Sequence, residues 1–277
     1  MLDNPLVEFV IKHPRLLVIT GAGCSAASGI PTYRDDTGAW QRSAPIQHQD
    51  FINLEASRKR YWARSYAGWP MVNAAKPNAS HYALASLEKK GYCQLLVTQN
   101  IDRLHQKAGH QNVIDLHGRL DKVSCLNCES VFDRQDVQSQ LARLNPTFPQ
   151  SEPIAAPDGD AYIENSLVDQ IVIQDCPACQ GMLKPEVVFY GGTVDRVIVN
   201  SIYKKLSLID AVLVVGSSLM VFSSFRFCRK ANEISVPVAA VNQGKTRADD
   251  FLDLKVSESC TEQLVNLAET LPVLQIS

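Results

Sequence analysis

Two pairs of cysteines, Cys125-Leu126-Asn127-Cys128 and Cys176-Pro177-Ala178-Cys179, set the first chemical expectation for this chain. Each Cys-x-x-Cys knuckle offers two thiolates, and four thiolates complete a tetrahedral Zn²⁺ shell with no position left open. A structural zinc ion on Cys125, Cys128, Cys176 and Cys179 is therefore expected, with two disulfides or an iron–sulfur cluster as rival readings. The knuckles stand far apart in sequence, so the fold must bring them together. Of the eight cysteines, Cys93 and Cys228 read as core packing.

A second set of residues suits a nucleotide. Gly21-Ala22-Gly23-Cys24-Ser25-Ala26 follows an apolar run and matches G-x-G-x-x-G/A, where missing side chains let backbone N–H groups approach a pyrophosphate. Its continuation, Ser28-Gly29-Ile30-Pro31-Thr32-Tyr33-Arg34-Asp35, puts proline where a crossover helix would run, and no acid-tipped second strand follows to grip a ribose. A dinucleotide is expected, but not in a hydride-transfer arrangement. Thr98-Gln99-Asn100-Ile101-Asp102 and Asp115-Leu116-His117-Gly118 end two later apolar runs. Asn100 suits a carboxamide, Asp102 adds a carboxylate, and His117 titrates where a general base is useful. The plainer alternative makes Asn100 and Asp102 helix caps and His117 a turn residue. Gly216-Ser217-Ser218 and Asn242-Gln243-Gly244 end further runs and suit the adenosine half.

These clusters need strands to carry them. Short apolar runs recur at Leu16–Thr20, Leu95–Thr98, Val113–Leu116, Val187–Phe189, Ala211–Val215 and Val238–Val241. Runs of this length suit strands buried on both faces of a parallel sheet. Helical stretches lie between several of them, at His81–Lys90, Val199–Leu208 and Phe225–Glu233. The alternation predicts a doubly wound α/β fold with ligands at the strands' carboxyl ends. Two segments interrupt it: 36–80, holding three tryptophans without a strand-like run, and 123–184, bounded by the cysteine pairs. The expected division is a nucleotide-binding domain from 1–35, 81–122 and 185–277, a helical insertion at 36–80, and an inserted zinc-binding module at 123–184.

Composition narrows the partners. The chain has 277 residues, 45% hydrophobic and 20% charged, which fits a packed globular protein. Lys+Arg of 27 against Asp+Glu of 29 leaves no basic excess for nucleic acid. The longest apolar run is far shorter than the ~20 residues of a membrane helix. No export signal is read at the start, so a cytoplasmic, reducing location is expected, or a mitochondrial matrix one if a presequence has been removed.

Taken together, the motifs resemble the sirtuins, NAD-dependent protein lysine deacylases. They are Gly21-Ala22-Gly23 with Ser28-Gly29-Ile30-Pro31, Thr98–Asp102, His117-Gly118, the two cysteine pairs, Gly216-Ser217-Ser218 and Val241-Asn242, in family order. Pro45-Ile46-Gln47-His48, Tyr61-Trp62-Ala63-Arg64, Gly68-Trp69-Pro70, Ala156–Asp160 and Thr246–Asp250 resemble the class II branch containing mitochondrial sirtuin four. The resemblance implies a Rossmann-like domain with a smaller zinc domain, and NAD meeting acyl-lysine between them. It implies a catalytic set of His117, Asn100 and Asp102. NAD would contact Gly21, Ala22, Gly23, Ser25, Tyr33, Arg34, Trp40, Gln99, Ile101, Gly216, Ser217, Ser218, Asn242, Gln243, Gly244 and Cys260.

The implied reaction releases nicotinamide, passes through an alkylimidate, and yields O-acyl-ADP-ribose and free lysine, with His117 as base. Val188, Phe189, Tyr190 and Gly191 would pair with the substrate backbone; Tyr61 with Arg64 would grip an acidic acyl chain, or are simply i, i+3 neighbours on an ordinary helix face. Departures from the family pattern are Thr32-Tyr33, Cys24 beside the phosphate turn, and Tyr190-Gly191-Gly192. Mono-ADP-ribosylation from the same NAD site, or an NAD-sensing zinc-bearing interaction protein, are the alternatives. A monomer acting on acylated proteins or peptides is expected, with no direct nucleic acid or membrane partner.

Overall fold

The computed structural model describes residues 4–32, 45–148, 163 and 165–275. Among them the strands are β1 (Leu16–Thr20), β2 (Cys93–Thr98), β3 (Val113–Asp115), β4 (Gly118–Cys125), β5 (Val131–Asp133), β6 (Leu183–Val187), β7 (Ala211–Val215), β8 (Val238–Val241) and β9 (Leu254–Val256). The helices are α1 (Pro5–Lys12), α2 (Ala22–Ser25), α3 (His48–Asn53), α4 (Glu55–Ala74), α5 (Ala79–Lys89), α6 (Leu104–Lys107), α7 (Arg134–Leu144), α8 (Asn165–Val168), α9 (Arg196–Leu206), α10 (Phe222–Glu233) and α11 (Cys260–Thr270).

Every residue of β1 is buried, which puts it mid-sheet with helices on both faces. Six parallel strands run in the order β3-β2-β1-β7-β8-β9. This is the doubly wound arrangement, and its direction of winding reverses between β1 and β7. Alternate side chains enter opposite cores. Leu16 and Val18 join Leu6, Leu84 and Leu264 from α1, α5 and α11. Leu17 and Ile19 join Ile202 and Leu206 from α9 and Phe227 from α10. Each such buried side chain contributes roughly 1.5–3 kcal/mol.

One expected strand belongs elsewhere. The run Val187–Phe189 is not in the parallel sheet; Leu183–Val187 forms β6, antiparallel to β4 in a separate sheet of order β5-β4-β6. Pro185 gives the reason, since it lacks the N–H a central strand must donate, and β6 is an edge strand. The sixth parallel strand is β9, which alternates with polar residues and is too short to stand out in the sequence. Helices start earlier than their apolar cores suggest. For α5, the Asn78 side chain accepts from Ser80 N–H at 2.9 Å and His81 Nδ1 accepts from Asn78 N–H at 3.3 Å, a capping box that starts the helix at Ala79.

The small sheet and α4 share one core. Tyr61, Trp62, Tyr66 and Trp69 pack with Val123, Cys125, Leu183 and Val187. Arg134 is fully buried there, its guanidinium 5.5 Å from the Trp62 ring and 5.2 Å from the Trp69 ring, donating to Ser65 O at 3.2 Å. Burial lowers its pKa to about 10.

The chain leaves the parallel sheet for the small one at Gly118, where φ is +82° and an added Cβ would collide with Glu186 O. Gly118→Ala is therefore expected to destabilise the protein by roughly 2–4 kcal/mol. Denaturation midpoints in urea check this, and an unchanged midpoint contradicts it.

Candidate active site

The turn after β1 is unusually tight. In place of a long crossover helix, α2 makes a single turn followed by a 3-10 turn at Ala26–Ser28 and Gly29 at φ +83°, which agrees with the proline-interrupted reading of this segment. The turn is locked to the strand end beyond it: Gly21 N–H donates to Val215 O at 3.1 Å and Gly23 N–H to Gly216 O at 2.9 Å. A Cβ on Gly23 would lie 2.9 Å from Gly216 Cα, and one on Gly216 would lie 2.5 Å from Cys24 N. Glycine is required on both sides because two backbones meet at the point where the sheet reverses its winding.

A cavity of about 560 Å³ opens there, within the usual range for a small-molecule site. Gly21, Ala22 and Gly23, Gln99, Asn100 and Ile101, and Gly216, Ser217 and Ser218 line it. So do Asn242, Gln243, Gly244 and Cys260, together with His117 and the segment Val188, Phe189, Tyr190 and Gly191. Ser25 and Asp102 line a smaller recess that also touches Ala22, Gln99 and Asn100. Tyr33, Arg34 and Trp40 lie outside the described residues. Tyr61 and Arg64 do not line the cavity: Tyr61 is buried with ring contacts to Phe51 at 5.6 Å and Phe189 at 5.2 Å, and Arg64 is half-buried on the same helix.

The polar groups are held by one network. Asn100 Nδ2 donates to Gly21 O at 3.0 Å and to Ser25 Oγ at 2.9 Å, so its Oδ1 is what it offers a ligand. Ser25 Oγ donates to Asp102 Oδ2 at 2.7 Å, and Asp102 Oδ1 accepts from Leu104 N–H at 2.8 Å. Asp102 thus also caps α6, as the plainer reading had it, but its second oxygen is tied to the site. Burial raises the Asp102 carboxyl above its ordinary pKa, against the lowering pull of Leu104 N–H and the Ser25 hydroxyl. Gln99 donates through Nε2 to Ser217 Oγ at 2.6 Å and accepts through Oε1 from Ser224 Oγ at 2.9 Å.

His117 sits between two partners. Nδ1 is 3.1 Å from Gln99 O and Nε2 is 2.7 Å from Ser223 Oγ. A carbonyl only accepts, so Nδ1 carries the proton and Nε2 is the basic nitrogen. Burial lowers its pKa to about 4, with the Gln99 carbonyl pulling the other way. His81 is likewise lowered to about 4, and His105 well below its ordinary value, both by burial.

These shifts carry a sign. An unfolded chain binds protons on these histidines near pH 6.5, whereas the folded protein does not until near 4. Their contribution to stability is present above about 6.5 and is lost as pH falls toward 4. Between pH 6.5 and 5, each is expected to remove up to ~1.4 kcal/mol per pH unit. Urea midpoints at pH 7, 6 and 5 should fall in step; a flat series contradicts the reading.

Cys24 is buried, and burial raises its thiol pKa well above the ordinary value, which makes it packing and not a reactive thiolate. Cys260 donates to Val241 O at 3.2 Å on the cavity wall. The backbone of the Val188–Gly191 segment is partly engaged: Val188 N–H donates to His117 O at 2.8 Å and Tyr190 O accepts from His48 N–H at 2.7 Å. Sequence reasoning missed the contribution of α10, whose first turns put Ser223 and Arg226 on the wall. Arg226 Nε is buried there without a hydrogen-bond partner among the described residues. Their i, i+3 spacing beside the Gly216-Ser217-Ser218 turn was the available signal.

The four knuckle cysteines converge. Their sulfurs all lie within 4.8 Å of one another, with Cys125 to Cys179 at 3.5 Å and Cys128 to Cys176 at 3.8 Å. A tetrahedron with Zn–S bonds of about 2.3 Å has edges of about 3.8 Å, so the donor set fits zinc. The two knuckles are built alike. Glu129 and Gln180, each directly after its pair, adopt positive φ of 60° and 61°, and their N–H groups donate to Cys125 O and Cys176 O at 3.1 and 2.8 Å.

A doubly wound sheet, a glycine-locked turn at its switch point, a buried histidine and a four-cysteine knuckle pair define the class: the chain belongs to the Sir2 family, whose pattern matches residues 21–223. It is 53% identical over 264 residues to an NAD-dependent protein deacetylase of Xanthomonas campestris pv. campestris, covering 95% of this chain and 90% of that one. It is 45% identical to the NAD-dependent protein deacylase Sirt4 of Drosophila melanogaster, over 95% and 85% of the two chains. A Sir2 protein solved with a p53 peptide and NAD⁺ matches with a TM-score of 0.76 at 28% identity, over 97% and 98% of the two chains.

Proposed function

We propose that this chain is an NAD-dependent protein lysine deacylase, removing acetyl or related acyl groups and releasing nicotinamide, O-acyl-ADP-ribose and free lysine. The observation that carries this is one cavity holding Asn100, a His117 with its Nδ1 proton committed to Gln99 O, and the Val188–Gly191 segment. NAD supplies a ribose carbon with a cationic leaving group. Asn100 Oδ1 is available to the nicotinamide carboxamide, and Ser25 holds Asp102 behind it. Gln99 is fixed from both sides by Ser217 and Ser224, which suits a residue that positions ribose hydroxyls. With NAD bound, the acyl oxygen would attack the ribose carbon. His117 Nε2 then takes a proton from a ribose hydroxyl so that this oxygen can attack the acyl carbon. The diphosphate brought into the same cleft favours the imidazolium that forms.

Cys125, Cys128, Cys176 and Cys179 would hold zinc as a structural ion, with no open coordination position and no part in the chemistry. Action as a monomer on acylated proteins or peptides is proposed. A cytoplasmic location is proposed with it, because thiols serving a metal suit a reducing compartment.

Mass spectrometry of products from NAD and a panel of acyl-lysine peptides tests the proposal. Formation of O-acyl-ADP-ribose with matched nicotinamide release supports it; ADP-ribose attached to protein without deacylation replaces it with the transferase reading. Succinyl- and glutaryl-lysine in the same panel test Tyr61 and Arg64 as an acid-gripping pair. A gain over acetyl-lysine that Arg64→Ala removes supports that pair, and equal or lower rates with the acidic chains end it.

A further inference from the structure

The hydroxyl of Ser223 occupies the lone pair that the base needs. With Nδ1–H committed to Gln99 O, the 2.7 Å contact at Nε2 has the Ser223 hydroxyl as donor. A ribose hydroxyl can reach Nε2 either by displacing Ser223 or by passing its proton through it. Three observations favour the second route. Ser223 is itself part of the cavity wall, alongside His117 and Gln99. It lies in the first turn of α10, and that turn is anchored by the next residue, Ser224, whose Oγ lies 2.9 Å from Gln99 Oε1 and 3.1 Å from Val221 O, sharing its one proton between them. Nε2 is also the one polar partner that the described residues provide for Ser223 Oγ, so displacing it sacrifices a bond with no replacement.

We propose that Ser223 is the proton relay between the ribose hydroxyl and His117. In the step, the ribose O–H bond breaks as its proton moves to Ser223 Oγ, while the Ser223 proton moves to His117 Nε2. Serine ends the step neutral, His117 becomes the imidazolium, and the ribose oxygen keeps the electron pair with which it attacks the acyl carbon. Two protons are in flight where direct transfer to the histidine moves one.

This inference rests on the deacylase reading, and its test separates the two. The single-turnover rate of acyl transfer is measured in mixtures of H₂O and D₂O for the wild-type chain, Ser223→Ala and Ser223→Thr, with thermal melting as the check that each folds. If the wild-type chain turns over no acyl peptide, the deacylase reading fails. With activity present, the relay predicts a bowed dependence of rate on deuterium fraction for the wild type. It predicts a linear dependence and a rate roughly five- to tenfold lower for Ser223→Ala. Ser223→Thr, which keeps a hydroxyl, should restore the bow. A linear wild-type dependence overturns the relay, as does a Ser223→Ala rate equal to wild type. A slower Ser223→Ala that keeps the wild-type bow also overturns it, because Ser223 then only orients the ring.

Discussion

His117→Ala is expected to lower deacylation by ~10²–10⁴-fold, the usual contribution of a general base, while NAD binding is largely retained. The imidazole is one of many residues on the cavity wall, and its partners Gln99 O and Ser223 Oγ belong to elements held by other bonds. Losing the ring therefore removes the base without dismantling the wall. Steady-state turnover with an acetyl-lysine peptide, paired with calorimetric titration of NAD, checks both halves. Deacylation at the wild-type rate would remove His117 from its role. Loss of NAD binding in parallel with turnover would make it a packing residue instead.

Cys176→Ser is expected to abolish zinc binding and, with it, the order of the small sheet. Cys176 is fully buried and its carbonyl and N–H both close the second knuckle, on Gln180 N–H at 2.8 Å and Gly181 O at 2.8 Å. Structural zinc commonly carries on the order of 10 kcal/mol of folding free energy in small metal-dependent modules, a large contribution beside the core the short sheet shares with α4. The damage should spread to activity although zinc takes no chemical part. The knuckles anchor the end of β4 and the approach to β6, and β6 runs directly into Val188–Gly191 on the cavity wall. Metal analysis of the purified chain should give one zinc for the wild type and none for the variant, with lost peptide turnover. A variant that keeps its metal and its activity contradicts this, and iron in place of zinc returns the cluster to the iron–sulfur reading.

Much of this architecture was legible because short-range physics carried the signal. Ala211–Val215 is apolar at every position and Leu16–Thr20 at all but its last, and only a strand covered on both faces tolerates that. The Cys-x-x-Cys spacing is set by the bite of two thiolates on one ion, so the four ligands could be named before their convergence was seen. Gly21, Gly23 and Gly216 were conspicuous as glycines, but that they press against each other could not be read from either segment alone. Val187–Phe189 misled because an apolar run does not say which sheet it joins; Pro185 held the information, as a missing donor.

The sequence by itself determined the chemical inventory: four thiols for a metal, a glycine turn for a pyrophosphate, and an amide, a carboxylate and an imidazole at strand ends. Tertiary structure decided how they act. It spent both Asn100 N–H groups on Gly21 and Ser25, tied Asp102 to Ser25, selected the Nδ1-protonated form of His117 through a carbonyl eighteen residues away in the chain, and set Ser223 of α10 against the basic nitrogen across a sequence separation of 106. Spacing along a chain can encode contacts within a turn or two of helix or strand. A proton's position on a buried ring depends on partners from distant segments, and only packing brings those to hydrogen-bonding distance.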